Sequence, residues 1–239
     1  MVIKMGNGRI ERVETGIDGL DEMLRGGVPK GHVFTVMGAF GTGKTTFSLQ
    51  YIWEGLQKGE SGIFITLEED KDAMIETGLS YGWDFQEYLD EGKLAVEKLT
   101  PADAEATIKK IKSDLPKFIK NFNAERIAID SISLMNMMAE NSKQKRDQLF
   151  ALSQMIKDTG ATALLTAEVK DDNPESSRDG LIEYTADGVV LLRYNQTDTE
   201  KVQLSIQVKK MRRIKHSRKI KPFDITDEGI KVHMEGAIF

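Results

Sequence analysis

The sequence contains no cysteine and only three histidines, His32, His216 and His233, scattered along 239 residues. The missing thiols exclude a disulfide framework and a thiolate metal centre, and the histidine spacing gives no ligand cluster. Long apolar runs are absent as well. Stretches such as VFTVM (33–37) and ALLTA (163–167) fall far short of the roughly 20 residues that cross a bilayer. The first residues lack a charged-then-apolar leader pattern. These absences predict a soluble, cytoplasmic protein with no membrane contact. No long linker and no internal repeat divides the chain, so residues 1–239 read as a single domain. A formal charge of −5 argues against wholesale coating of nucleic acid.

What is present is a regular alternation of strand-like and helix-like segments. Apolar, β-branched runs at 31–38, 62–67, 93–99, 126–130, 161–167, 187–194 and 202–211 read as strands. Between them, 45–59 carries Leu49, Ile52, Trp53 and Leu56 on one helical face. Residues 70–91 read as helix broken at Gly82, 101–122 as a charged amphipathic helix with Pro116 as a kink or restart, and 143–160 as another helix. Such alternation predicts an α/β fold with a mainly parallel sheet covered on both faces. The last strands have no helix between them and are expected to pair antiparallel.

The strongest local signal is Gly38-Ala39-Phe40-Gly41-Thr42-Gly43-Lys44-Thr45, a complete G-x-x-x-x-G-K-[ST] motif between a strand and a helix. Glycines let the backbone curl so that its N–H groups point at phosphate oxygens, and the following helix aims its positive end at the same anion. Lys44 would neutralise the β- and γ-phosphates, Thr46 would join the loop's contacts, and the Thr45 hydroxyl would take a place on Mg²⁺. Asp130 ends the strand RIAID, where a carboxylate either orients the metal or caps a following helix; beside this loop the metal role is favoured. Glu68 and Glu69 follow the strand GIFITL. They read as a base for the attacking water or as an acidic helix start, and catalysis is preferred. Period-2 alternation over 202–212 puts Val202, Leu204, Ile206, Val208, Lys210 and Arg212 on one strand face, apolar and then abruptly cationic. Eight of the thirteen residues 209–221 are Lys or Arg. A solvated edge, a nucleic-acid patch and an arginine finger all fit that run.

In order along the chain, ETGIDGLDEMLRGGVPKG (14–31), GTGKTTFSLQYIWEG (41–55), FITLEED (64–70), SYGWDF (80–85), IDSIS (129–133), TAE (166–168), EYTADGVVLLR (183–193), the KMR…H run (210–216) and PFDITDEGI (222–230) resemble a single-domain KaiC-like ATPase of the RecA superfamily. The resemblance implies a RecA-like P-loop fold, slow ATP hydrolysis, and a hexameric homo-oligomer with ATP between subunits. It implies Glu68 as general base with Glu69 in support, and Ser80 near the nucleotide. Lys210 and Arg212 are then expected to reach the phosphates of a neighbouring subunit, and His216, Arg218 and Asp227 its ribose or base. Glu168 takes the position of the sensing glutamine of recombinases. Two departures stand out. The family's K-L-R-G-T-x-H is Lys210-Met211-Arg212-Arg213-Ile214-Lys215-His216 here, so Ile214 offers no hydroxyl to phosphate. Glu183-Tyr184 stands where the second domain of the clock proteins has adjacent Ser and Thr phosphorylation sites, so no circadian role is implied.

Two other functions share the ATP site. A DNA-dependent recombinase or helicase-like motor would use loops 136–146 and 169–180, but in the second, acidic residues outnumber one Lys and one Arg and no ring is available for stacking. Nucleic acid is therefore possible but not favoured. A non-hydrolysing, nucleotide-sensing scaffold would have no need of Glu68 and Glu69. The sequence names no protein partner.

Overall fold

The computed structural model describes residues 10–99, 113–132, 141–170, 172–178, 180–196 and 202–236. Most of the expected charged helix, at 100–112, and the start of the candidate loop 136–146 lie outside the described residues.

The elements run β1 (Arg12–Val13), α1 (Leu20–Met23), β2 (Val28–Pro29), β3 (Val33–Gly38), α2 (Lys44–Gln57), β4 (Gly62–Thr66), α3 (Lys71–Ser80), α4 (Phe85–Asp90), β5 (Leu94–Lys98), α5 (Leu115–Phe122), β6 (Arg126–Asp130), α6 (Ser142–Thr159), β7 (Thr162–Glu168), α7 (Ile182–Thr185), β8 (Gly188–Gln196), β9 (Val202–Met211), β10 (Lys221–Thr226) and β11 (Gly229–Val232). Apart from the short β1–β2 ribbon, the strands form one nine-stranded sheet in the order β11-β10-β9-β8-β3-β7-β6-β4-β5. Pairings from β8 through β5 are parallel. Those joining β8 to β9, β9 to β10 and β10 to β11 are antiparallel, as the missing helices predict. The expected α/β, RecA-like arrangement is the observed one.

Each central strand is apolar on both faces because helices cover both. Phe34, Val36, Phe64, Ala128 and Leu164 pack into one core with Phe47 and Leu49 of α2. Their chain neighbours Val33, Ile63, Ile65, Ile127, Ile129 and Leu165 pack into the other, with Leu149, Leu152 and Ile156 of α6. Continuous burial in place of alternation is the mark of strands buried on both sides.

Helix boundaries follow local chemistry. Asp70 caps α3, its carboxylate accepting from the Ala73 N–H at 3.0 Å. Gly82, at φ +77°, supplies the left-handed turn that separates α3 from α4. Asn141 caps α6 through the Gln144 N–H at 2.9 Å, and Gly160 at φ +85° ends that helix. Beneath α2, the guanidinium of Arg126 is only 1 % exposed and donates to the carbonyls of Glu14 and Tyr51 at 2.7 and 2.8 Å. That links the start of β6 to the helix behind the phosphate loop.

Two features differ from the sequence reading. The sheet does not finish with residues 202–211: β10 and β11 add a further hairpin. The alternation along β9 is also interrupted. Val189 pairs with Lys210 while Val190 pairs with Val208, a bulge that inserts one residue. Met211, not Lys210, therefore continues the buried face of Ile206 and Val208. Lys210 belongs to the opposite side.

Candidate functional site

The carboxyl ends of β3, β7, β6 and β4, neighbours in the sheet, converge on one place. Gly38 is level with Glu168 across β3 and β7, and Thr66 with Asp130 across β4 and β6. Ligands of open α/β sheets bind outside such strand ends. Here a cavity of about 340 Å³ opens between Phe40, Gly41, Gly43, Lys44, Thr45 and Thr46 on one side and Glu68, Asp130, Ser131 and Glu168 on the other, with Ile225 at its edge.

The loop has the conformation the motif requires. Gly41 and Gly43 sit at φ +73° and +90°. A Cβ on Gly43 would come within 2.8 Å of Ile225 Cδ1, so both backbone angle and space call for glycine. Thr42 is fully buried and its hydroxyl donates to the Ala39 carbonyl at 2.7 Å, closing the curl. Lys44 Nζ donates to the carbonyls of Gly38 and Ala39 at 3.0 and 2.9 Å, which leaves one of its three hydrogens for an incoming anion. Lys44 opens α2, so the helix N-terminus faces the same space.

Thr45 Oγ1 donates to Asp130 Oδ2 at 2.7 Å, and Thr166 Oγ1 donates to the other Asp130 oxygen. The Asp130 carboxylate is thus held by hydroxyls from the loop and from β7, and it lines the cavity. One hydroxyl and one carboxylate side by side is the donor set by which Mg²⁺ is held together with substrate phosphates. No cluster of three His, Asp or Glu that could hold a metal unaided occurs among the described residues.

Glu68 lies in the exposed turn after β4 and lines the cavity; Glu69 is exposed and is not among the lining residues. The helix start behind them is capped by Asp70, which leaves both glutamates outside α3. Burial, then the charges of Asp130 and Glu168, push the Glu68 carboxyl above its ordinary value. Burial lowers Lys44 from its usual value, against the pull of Asp130, Glu168 and Glu68. Glu168 also pairs with Arg178 at 2.7 Å.

The other expected site residues lie elsewhere on the chain. Ser80 ends α3, exposed, with its hydroxyl donating to the Thr77 carbonyl at 2.7 Å; it does not line the cavity. Its neighbour Tyr81 does reach the loop helix, its hydroxyl 3.2 Å from Thr46 Oγ1. Lys210 Nζ donates to the carbonyls of Glu183 and Ala186 at 2.9 and 2.6 Å. Burial, then adjacent Arg212, lowers its pKa. Arg212 is half exposed, 3.4 Å from Asp187 Oδ1, and lines a second cavity with Arg146, Lys157 and Tyr184. His216 contacts the Ser217 carbonyl, Arg218 is exposed, and Asp227 stands in the exposed turn between β10 and β11. None of Lys210, Arg212, His216, Arg218 and Asp227 lines the phosphate cavity of its own chain. Sequence reasoning missed Thr166, Ser131 and Ile225. All three fall in segments that carry the resemblance, 166–168, 129–133 and 222–230, and Thr166 is also a hydroxyl on the strand paired with that of Asp130.

The family model described as the KaiC ATPase matches residues 13–237. A UPF0273 protein of Methanopyrus kandleri is 35% identical over 243 residues, covering 95% of this chain and 93% of its own. The circadian clock oscillator protein KaiC of Prochlorococcus marinus is 35% identical over 241 residues, but this chain spans only 46% of that protein. The crystal structure of a KaiC-like protein from the hyperthermophilic archaeon Pyrococcus horikoshii superposes with a TM-score of 0.83 at 34% identity, covering 94% of this chain and all of that one. No helix among the described residues is long and apolar enough to cross a membrane. With the family model matching residues 13–237 and a solved structure superposing along nearly the whole chain, this chain belongs to the KaiC family of ATPases, with the RecA fold.

Proposed function

We propose that the protein binds Mg²⁺·ATP at the Gly38–Thr45 loop and hydrolyses it slowly, in sites that a neighbouring copy completes, within a homo-oligomeric, hexameric ring that serves a regulatory or assembly role in the cytoplasm. The single observation that carries this reading is the 2.7 Å hydrogen bond from Thr45 to Asp130, which joins the loop to the acidic strand ends. In the reaction, Glu68 orients a water on the γ-phosphorus and takes its proton as the P–O bond to the leaving ADP breaks. Glu69 supports Glu68, and Lys44 balances charge on the phosphates. Thr45 and Asp130 would hold Mg²⁺, which supplies positive charge to the β- and γ-phosphate oxygens. The raised pKa of Glu68 suits a base.

A second copy enters because Lys210 and Arg212 are away from their own loop; the half-exposed guanidinium of Arg212 suits phosphate oxygens, and Lys210, which donates two hydrogens to the Glu183 and Ala186 carbonyls, keeps one for the same anion. His216, Arg218 and Asp227 would meet the nucleoside of that same neighbour, and Ser80 would stand at the nucleotide's periphery. A nucleic-acid motor has less support: within the basic run, Lys209 pairs with Glu175 and Lys221 donates to the carbonyls of Met234 and Gly236. The test is ATP turnover with and without single-stranded DNA, with light scattering on the same samples. Turnover by a scattering assembly, indifferent to DNA, is expected. Stimulation by DNA would transfer the assignment to a motor, and binding without turnover to a scaffold.

A further inference from the structure

The three large apolar side chains most open to solvent among the described residues are Phe40, Tyr184 and Phe150, at 84, 78 and 62 %. They are not scattered. Phe40 stands in the phosphate loop at the mouth of its cavity. Phe150, from α6, and Tyr184, from α7, flank the second cavity, of about 520 Å³, with Leu181 as a further apolar wall. Exposed rings gathered at the mouths of two cavities mark interaction sites more than chance surface does.

The charges around the two cavities are complementary. The second is lined by Arg146, Lys157 and Arg212 against one acid, Asp147; Asp187 behind it pairs with Lys157 and Arg212, which leaves the cavity with a net positive charge. The first is lined by Glu68, Asp130 and Glu168 against one cation, Lys44, with exposed Glu69 and Asp70 beside it. A bound nucleotide adds more negative charge. Two different patches of one chain that match each other specify a head-to-tail contact between copies, which closes into a ring when the rotation allows. A partner with only a charge to offer would leave the rings exposed; a second copy satisfies both features at once.

We propose that Phe40 of one copy seats between Phe150 and Tyr184 of the next, an aromatic anchor that brings the second cavity against the mouth of the phosphate cavity. The inference rests on the reading that Arg212 acts across subunits, and adds the contact that delivers Arg212 there. Because Phe40 is part of the loop, nucleotide in the loop and assembly are coupled, and linkage makes that coupling reciprocal.

The absence of cysteine makes the contact directly measurable. Chains carrying Phe40→Cys with Tyr184→Cys, or Phe40→Cys with Phe150→Cys, are treated with a short thiol-to-thiol cross-linker in Mg²⁺ and a non-hydrolysable ATP analogue. A ladder of covalent oligomers is expected from the pairs and not from any single-cysteine chain. In sedimentation velocity, Phe40→Ala should weaken assembly about tenfold or more, the scale of a truncated aromatic anchor, while Phe40→Leu keeps most of it. Phe40 is outside both cores, so unchanged circular dichroism, and an unfolding midpoint unchanged at concentrations too low for assembly, exclude a folding defect. A wild-type chain that stays monomeric would overturn this anchor and the shared site together. An assembly in which Arg212 is shown to work in trans, but which gives no ladder and tolerates Phe40→Ala, overturns the anchor alone.

Discussion

Asp21 offers a prediction whose size follows from the structure. Its carboxylate accepts from the Thr15 N–H at 2.8 Å, the Thr15 hydroxyl at 2.9 Å and the Gly16 N–H at 3.1 Å, folding the turn that leads from β1 into α1. The Gly16 carbonyl in turn accepts from Gln50 on α2 at 2.8 Å, so the turn is tied to the helix behind the phosphate loop. Burial outweighs these hydrogen bonds and raises the Asp21 pKa from 3.8 to about 6. Between those values the folded state binds a proton that the unfolded chain has released. Its contribution to stability is therefore complete below about pH 4 and is lost as pH rises through about 6. A shift of about two pKa units corresponds to at most about 3 kcal/mol. Asp21→Asn removes the titration, and whatever it costs in hydrogen bonds is the same at every pH. Urea unfolding of nucleotide-free protein from pH 4 to 7, followed by fluorescence of Trp53 and Trp83, measures both chains. Wild type minus variant should fall by up to about 3 kcal/mol across that range. Parallel curves would refute the reasoning.

Four further outcomes are expected. Lys44→Ala abolishes Mg²⁺·ATP binding in a titration calorimeter, because the loop loses its cation; wild-type-like affinity would sink the site. Glu68→Gln keeps ATP binding and loses about 10²–10⁴-fold in turnover, while Glu69→Gln costs less; equal mild losses would mean that neither is the base. The wild-type acid limb should lie above the ordinary glutamate range, since Glu68 must be ionised to act and its pKa is raised. Incubation with γ-labelled ATP leaves no label at residues 183–184, and phosphotyrosine at Tyr184 by mass spectrometry would contradict this.

Much of the fold was legible because a doubly covered parallel sheet writes itself as apolar runs separated by helical periodicity. The runs at 33–37, 62–67, 126–130 and 161–167 are strands, and Gly82 does break its helix. The phosphate loop was legible because its spacing is chemical. The bulge near Lys209 was not, since an extra residue in a ladder is fixed by the partner strand and leaves no trace in period-2 alternation. The β10–β11 hairpin was missed because Pro222 and the exposed Asp224 and Asp227 interrupt its apolar pattern, although Ile225, Ile230 and Gly229 carry it. That omission hid Ile225 at the edge of the phosphate cavity. Ser80 is the opposite case. A residue carried over by resemblance lies off the cavity, and its neighbour Tyr81 makes the contact to Thr46.

The central claim is that each active site is built from two chains, and mixing two inactive variants tests it most directly. Arg212→Ala spoils the neighbour's site and leaves its own loop and base intact. Glu68→Gln spoils its own site and leaves its arm intact. Arginine arms supplied in trans are worth about 10³–10⁵ in related phosphoryl transfers, so each variant alone should be almost inactive. After equal mixing and exchange, a site works when its loop comes from an Arg212→Ala chain and its arm from a Glu68→Gln chain. Each condition holds half the time, so about a quarter of the sites should recover in a closed head-to-tail ring whose sites fire independently. Activity that stays at the level of the parents, in mixtures where a tagged pull-down proves exchange, would contradict the shared site.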